Sequence, residues 1–175
     1  FNDLTHKGAL TAIRIEGPSN SVDHRIKNLS TELGLLENEY SILESVQTKI
    51  FWNKTKNLEI FSNSKKNLLR IVVPISETLS VLQKMKPYEI NYFLDWGGSL
   101  IWVELEKISL KILREIKDIM QQHSGYFTII KVEDDLKASA DIFTIDPIKY
   151  KISEKIKKSF DPKRIFNPGK MYSGI

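Results

Sequence analysis

Residues 88–106 read YEINYFLDWGGSLIWVELE, and they decide the fold because they hold two alternating segments around a pair of glycines. Residues 88–96 and 99–106 alternate apolar and polar side chains, which is typical of half-buried strands. The two-glycine connection Gly97-Gly98 between them is typical of a tight β-hairpin. This stretch therefore predicts two consecutive antiparallel strands.

The segments on either side of the hairpin complete a known supersecondary pattern. Residues 68–75 (LLRIVVPI) predict a buried strand with one charge, and residues 78–85 predict a short helix. After the hairpin, residues 109–122 predict a long amphipathic helix and residues 126–132 a further strand. The order β-α-β-β-α-β is the split βαβ, ferredoxin-like arrangement. We therefore expect an α+β fold, an antiparallel sheet with helices on one face.

The N-terminal part predicts a βαβα order that leads into the ferredoxin-like part without a linker. Residues 10–16 (LTAIRIE) alternate as a strand does, and a helix capped by Ser19 or Ser21 is expected to reach about Leu33. A short strand near residues 40–43 and a second helix through residues 46–51 follow. With no linker in the sequence, residues 1–175 are expected to form a single domain.

Composition limits the class of protein. At 175 residues with 41% hydrophobic residues, the chain can bury a core of its own. No apolar run approaches about 20 residues, so no transmembrane segment is expected, and no signal-peptide pattern is present. Without cysteine the chain has no disulfide framework and no cysteine-ligated metal site, which suits the cytoplasm. A chain that begins at Phe1 is expected to be part of a longer polypeptide or the product of a shortened gene.

The C-terminal tract forms a terminus with two turns. A lysine-rich helix over about residues 147–159 precedes residues 160–172, FDPKRIFNPGKMY. Its two prolines break the helix, and Gly169 permits a turn that other residues resist. Ile165 and Phe166 lie between the breaks as candidate apolar anchors. From the residues alone, the tract is either a cap packed on its own domain or part of a binding site.

Two internal positions are candidates for ligand binding. Arg70 lies in an apolar strand, and a buried cation requires a partner. That partner is either a carboxylate such as Asp95 or Glu104, or a small carboxylate ligand held by a bidentate clamp. Trp96 is either a core residue beside the hairpin turn or the wall of a pocket for a flat ligand.

Four segments resemble one known family. The tract FDPKRIFNPGKMY is similar to the C-terminal signature of flavin-linked oxidases in the vanillyl-alcohol-oxidase (PCMH) superfamily, above all the E-type subunit of glycolate oxidase. Residues 68–74 (LLRIVVP) resemble the strand of that group that carries an arginine. Two further segments also resemble this group: residues 95–102, with the pattern D-W-G-G-x-x-x-W, and residues 12–17 (AIRIEG).

The resemblance implies the cap domain of a flavoprotein subunit. Its complex would use FAD to oxidise a 2-hydroxy acid such as glycolate to the 2-oxo acid. FAD would be bound mainly by an N-terminal domain that this sequence lacks. Residues 160–175 would return to the FAD site of that domain. The implied substrate-binding residues are Arg70 and Trp96, and the implied FAD contacts are Asn167, Gly169 and Lys170.

The same resemblance gives no catalytic residue to this chain, which is expected to be inactive alone. The implied partners are a flavoprotein D-type subunit and an iron–sulfur F-type subunit, in a complex that is cytoplasmic or peripheral to the inner membrane. The metal-site histidines of the D-type branch have no counterpart, because the three histidines are scattered and lack metal-ligand spacing. His123 is therefore expected to be structural, and no metal site is predicted.

The alternative is a non-catalytic ferredoxin-like module for interaction or assembly that uses its basic C-terminal helix. That helix has an apolar face of Ile148, Ile152 and Ile156, and Glu154 interrupts its lysines. Without a paired stacking platform, the pattern does not favour nucleic acid. The lysines are then a solvated face or a surface for an acidic partner subunit.

Overall fold

The computed structural model describes residues 9–137, 140–144 and 146–170. Contacts between α-carbons divide the chain into two compact units, one that ends at Asn63 and one that begins at Ser64. Each unit is described separately below. The expectation of a single domain stays a prediction.

The first unit is helical. Its described residues contain α1 (Ser19–Glu32), α2 (Ser45–Lys56) and a 3₁₀ turn (Glu59–Phe61). The strands expected at residues 10–16 and 40–43 are wrong, since neither segment joins a sheet in the described part of the chain. An alternating pattern shows only that a segment has an apolar and a polar side, whereas a strand also requires a hydrogen-bonded neighbour.

The second unit contains the ferredoxin-like fold. Its elements follow the order β1 (Asn67–Val72), α3 (Thr78–Met85), β2 (Asn91–Asp95), β3 (Leu100–Leu105), α4 (Leu110–Gln122) and β4 (Tyr126–Lys131). The strands form one sheet in the order β2-β3-β1-β4, and all three pairings are antiparallel. The predicted α+β, split-βαβ arrangement is thereby confirmed.

Alternate residues of the strands and the inner sides of two helices form the core. Leu69 and Ile71 of β1 are fully buried with Ile101 of β3, Val81 of α3 and Ile116 of α4. Since side chains alternate across a strand, Arg70 lies on the opposite face of the sheet, away from α3 and α4.

Two helices follow the sheet. The short α5 (Asp134–Lys137) precedes α6 (Pro147–Phe160), which the sequence predicted at about residues 147–159. Asp146 caps α6, because its carboxylate accepts hydrogen bonds from the backbone N–H groups of Ile148 and Lys149, both at 2.9 Å. Pro147 at the first position suits a helix start, where no N–H is needed.

Candidate functional site

Arg70, Trp96 and Trp102 form a cation–aromatic cluster, here called the Arg70 cluster. Arg70 of β1 is paired with Trp102 of β3, and Trp102 is paired in turn with Phe93 of β2. The guanidinium carbon of Arg70 lies 5.2 Å from the centroid of the Trp96 ring and 5.9 Å from that of Trp102. Both distances suit cation–π attraction, so the two indoles hold the guanidinium on this face of the sheet.

The hairpin loop places Trp96 over Arg70 in a strained conformation. Strands β2 and β3 form the expected hairpin, but residues 96–99 connect them, so the expectation of a two-residue turn is wrong. Trp96 itself has a φ of 53° beside the positive φ of Gly97 and Gly98. A left-handed backbone costs a non-glycine residue on the order of 1–3 kcal/mol. Other contacts must therefore hold the loop in place.

Hydrogen bonds at both ends of the loop supply that support. The Asp95 carboxylate accepts from the Trp96 backbone N–H at 2.7 Å. The Thr78 hydroxyl donates to the Gly98 carbonyl at 2.8 Å, and the Val73 N–H donates to the Ser99 carbonyl at 3.0 Å. Trp96 is thereby fixed to the ends of α3 and β1.

The charge of Arg70 is not neutralised by the carboxylates that the sequence suggested. Asp95 caps the hairpin loop, and Glu104 accepts a hydrogen bond from the Asn91 amide at 3.2 Å. Among the described residues, no carboxylate oxygen lies within 4.0 Å of the Arg70 guanidinium. The ion-pair interpretation of Arg70 is therefore wrong, and the carboxylate clamp stays a prediction.

Neither tryptophan of the cluster is a core residue. Trp96 is 58% exposed and Trp102 is half-buried. The interpretation of Trp96 as a core residue beside the hairpin turn is wrong, since the loop directs its side chain to the surface. An exposed indole beside a cation without a carboxylate partner can bind a flat ligand with an anionic group.

The C-terminal tract is organised around Asp161, which is only 5% exposed. Its carboxylate accepts from the backbone N–H groups of Ile165 and Phe166, both at 2.9 Å, and from the Lys157 ammonium at 2.7 Å. The hydrogen bond from Lys157, followed by those from the two backbone N–H groups, lowers the pKa of Asp161 from 3.8 to about 2. We call this set of contacts the Asp161 latch.

Two turns follow within the latched segment. The Arg164 N–H donates to the Asp161 carbonyl at 3.0 Å, and the Lys170 N–H donates to the Asn167 carbonyl at 3.2 Å. Arg164 and Asn167 both have positive φ, at 51° and 47°. The two turns agree with the two chain breaks in the sequence.

The apolar residues of the tail do not anchor it. Ile165 is 66% exposed and Phe166 is 68% exposed. The expectation of a cap packed on its own domain by these two side chains is wrong, because polar contacts of Asp161 hold the turns instead. The tail therefore presents apolar side chains outward on a fixed backbone.

The predicted FAD-contact residues all lie in the exposed tail. Asn167, Gly169 and Lys170 are exposed, and a β-carbon placed on Gly169 meets no atom within 4 Å. The amide, the cation and the open backbone suit a contact at the edge of a flavin nucleotide or its diphosphate. They do not enclose it, so these residues fit a secondary contact to FAD rather than a complete binding site.

The structure presents the five predicted site residues as two separate groups. Among the described residues, no hydrogen bond, ion pair or ring contact joins Asn167 or Lys170 to Arg70 or Trp96. A groove of about 680 Å³ in the first unit includes none of the five.

Sequence reasoning missed the roles of Trp102, Lys157 and Asp161. Trp102 meets Arg70 only through the register of β1 and β3, which the sequence does not give. Lys157 and Asp161 are spaced i,i+4, a signal of helical ion pairing that was present in the sequence.

The histidines within the described residues do not form a potential metal-binding group. His123 Nδ1 lies 2.6 Å from a Glu77 carboxylate oxygen, and its Nε2 is buried without a partner in the described part of the chain. His24 bonds to Asn28, while His6 lies outside the described residues. No group of three or more potential metal ligands occurs among the described residues.

No protein-family model matches the chain, and no curated protein matches it either. Within the described residues, no helix has the length and apolar character needed to cross a membrane.

Proposed function

We propose that the chain is the C-terminal cap domain of a flavoprotein subunit in a glycolate oxidase-like complex. The reaction of that complex is oxidation of a 2-hydroxy acid such as glycolate to its 2-oxo acid. FAD, when bound, would accept the hydride from C2 of the substrate, while the hydroxyl group would give its proton to a base of the complex and become the carbonyl group. The resemblance of four separated segments supports this proposal.

The Arg70 cluster is the structural observation that carries the proposal. Within the described residues, the Arg70 guanidinium has no carboxylate partner, and it lies 5.2 Å and 5.9 Å from the centroids of two indole rings on one face of the sheet. A small carboxylate can accept two parallel hydrogen bonds from such a group. Arg70 would bind the substrate carboxylate, Trp96 would form a wall of its pocket, and Trp102 would hold the guanidinium in place.

Bound FAD would supply the acceptor for the electron pair. Asn167 and Lys170 would contact the nucleotide at its edge, since the tail leaves both side chains exposed. FAD would be bound mainly by a separate N-terminal domain. The Arg70 cluster and the tail are then the cap domain's contribution to a composite site, and the chain alone is expected to be inactive.

The alternative is a non-catalytic module for assembly, and a flavin spectrum separates the two. The experiment is to purify the native complex that contains this chain and record its visible absorption before and after anaerobic addition of glycolate. The proposal predicts the spectrum of oxidised flavin and its bleaching by glycolate. A colourless complex would overturn the proposal and favour the assembly module.

A further inference from the structure

The helix α6 exposes an apolar face of four large side chains. Ile148, Ile152, Ile156 and Phe160 occur at every fourth position of α6, and each is more than half exposed. At about 100° per residue, this spacing places all four within an arc of about 120°. No residue of α6 is buried. We call these four side chains the α6 surface.

Positive charge is concentrated around the α6 surface. Lys151, Lys155 and Lys158 lie along one side of the arc, and none has an ion-pair partner among the described residues. Residues 146–170 carry eight basic and three acidic side chains, whereas the whole chain has a net charge of +4. The remainder of the sequence carries 18 basic and 19 acidic side chains, so its net charge of −1 does not balance the +5 of this segment.

The Asp161 latch extends the surface with side chains on a fixed backbone. It holds the N–H groups of Ile165 and Phe166, so the two side chains project from a defined loop directly after the helix. A lipid surface does not require a defined loop geometry, while a shaped protein groove does.

We propose that the α6 surface docks into an apolar groove with an acidic rim on a separate protein subunit. An amphipathic helix that places anchors spaced i, i+4 in a groove is a recurring mode of protein recognition. A two-fold contact between the α6 surfaces of two copies of this chain does not fit, because it would bring the same positive segment into contact with itself. The inference goes beyond the proposed function, since it requires neither Arg70 nor flavin.

The first experiment identifies the groove in cells. A photo-crosslinking amino acid replaces Ile152 in the full protein, and a control replaces the exposed Asp118 of α4. Position 152 is expected to crosslink to a single contiguous, acidic surface on one other protein. Position 118 is expected to give no such crosslink. Crosslinks to lipid, to a second copy, to scattered proteins or to none would each overturn the proposal.

The second experiment measures the affinity of the purified pair. Ile152→Asp is expected to weaken binding about 10- to 100-fold, as the loss of one buried aliphatic anchor would. Since Ile152 is exposed, the variant should keep the circular dichroism spectrum of the parent chain. The triple change of Lys151, Lys155 and Lys158 to Glu should lower the association rate and reverse its salt dependence.

Asp118→Asn is the matched control and should bind as the parent does. Equal affinity of Ile152→Asp and the parent would refute the docking surface. Flavin content is measured on the same samples, so a colourless but tightly associated pair would refute the proposed function and leave this inference standing.

Discussion

Gly125→Ala should destabilise the second unit by overpacking its core. A β-carbon on Gly125 would lie 2.5 Å from Cγ1 of Val73, 3.1 Å from the Val72 carbonyl oxygen and 3.2 Å from Sδ of Met120. Carbon atoms in contact are normally about 3.5–4.0 Å apart, so Val73 would have to move by about 1 Å. Val73 is 3% exposed and belongs to the packed core, so a shift of its side chain would displace its neighbours there.

The expected loss in the free energy of unfolding is about 1–3 kcal/mol, the usual cost of an extra methyl group in a packed core. Backbone conformation contributes little, because the φ of Gly125 lies outside the left-handed region. Urea denaturation followed by circular dichroism measures the change.

A double-mutant cycle with Val73→Ala isolates the clash. Removing Cγ1 of Val73 should lower the cost of Gly125→Ala by at least about 0.5 kcal/mol, the coupling expected of residues in contact. The reasoning is refuted if Gly125→Ala costs less than about 0.5 kcal/mol in the parent chain. It is also refuted if the cost is the same in both backgrounds.

Two further predictions concern ionisable groups. Asp161→Asn should speed amide hydrogen exchange in residues 162–170, because the latch loses its charge. Since the folded pKa of Asp161 is about 2 and its ordinary value is 3.8, the latch should be intact above pH 3.8 and be lost as the pH falls through about 2. Tyr88→Phe should cost about 0.5–1.5 kcal/mol, because the Tyr88 hydroxyl donates to the Glu115 carboxylate at 3.0 Å. Burial, followed by that hydrogen bond, raises the pKa of Tyr88 above 10.0, so stability should decline more steeply above pH 10.0 in the parent chain than in the variant.

The ferredoxin-like part could be predicted from sequence because several local signals agree there. Residues 68–75 predict an apolar strand, and the residues after Ser109 predict an amphipathic helix. Each of these two elements can bury its own apolar face only by packing against the other. Residues 10–16 have a similar alternating pattern but form no strand, since no ladder pairs with them in the described part of the chain. The alternating pattern therefore predicted strands correctly only where neighbouring strands could pair with them.

The geometry of the candidate site depends on contacts that sequence does not specify. Arg70 was identified as an unusual charge, but its position between two indoles follows from strand register and from the strained backbone of Trp96. Ile165 and Phe166 were expected to be anchors because they are apolar. Asp161 holds the tail instead, and that leaves both side chains exposed.

The most direct test of the central claim is the KM for glycolate in the native complex after Arg70→Met. The loss of a charged, bidentate contact should raise KM about 10- to 100-fold, while Arg114→Met on the exposed side of α4 should leave it unchanged. Arg70→Lys should recover only part of the loss, because an ammonium lacks the guanidinium fork. Equal KM values for the parent, Arg70→Met and Arg114→Met complexes would contradict the assignment of Arg70 as the carboxylate clamp.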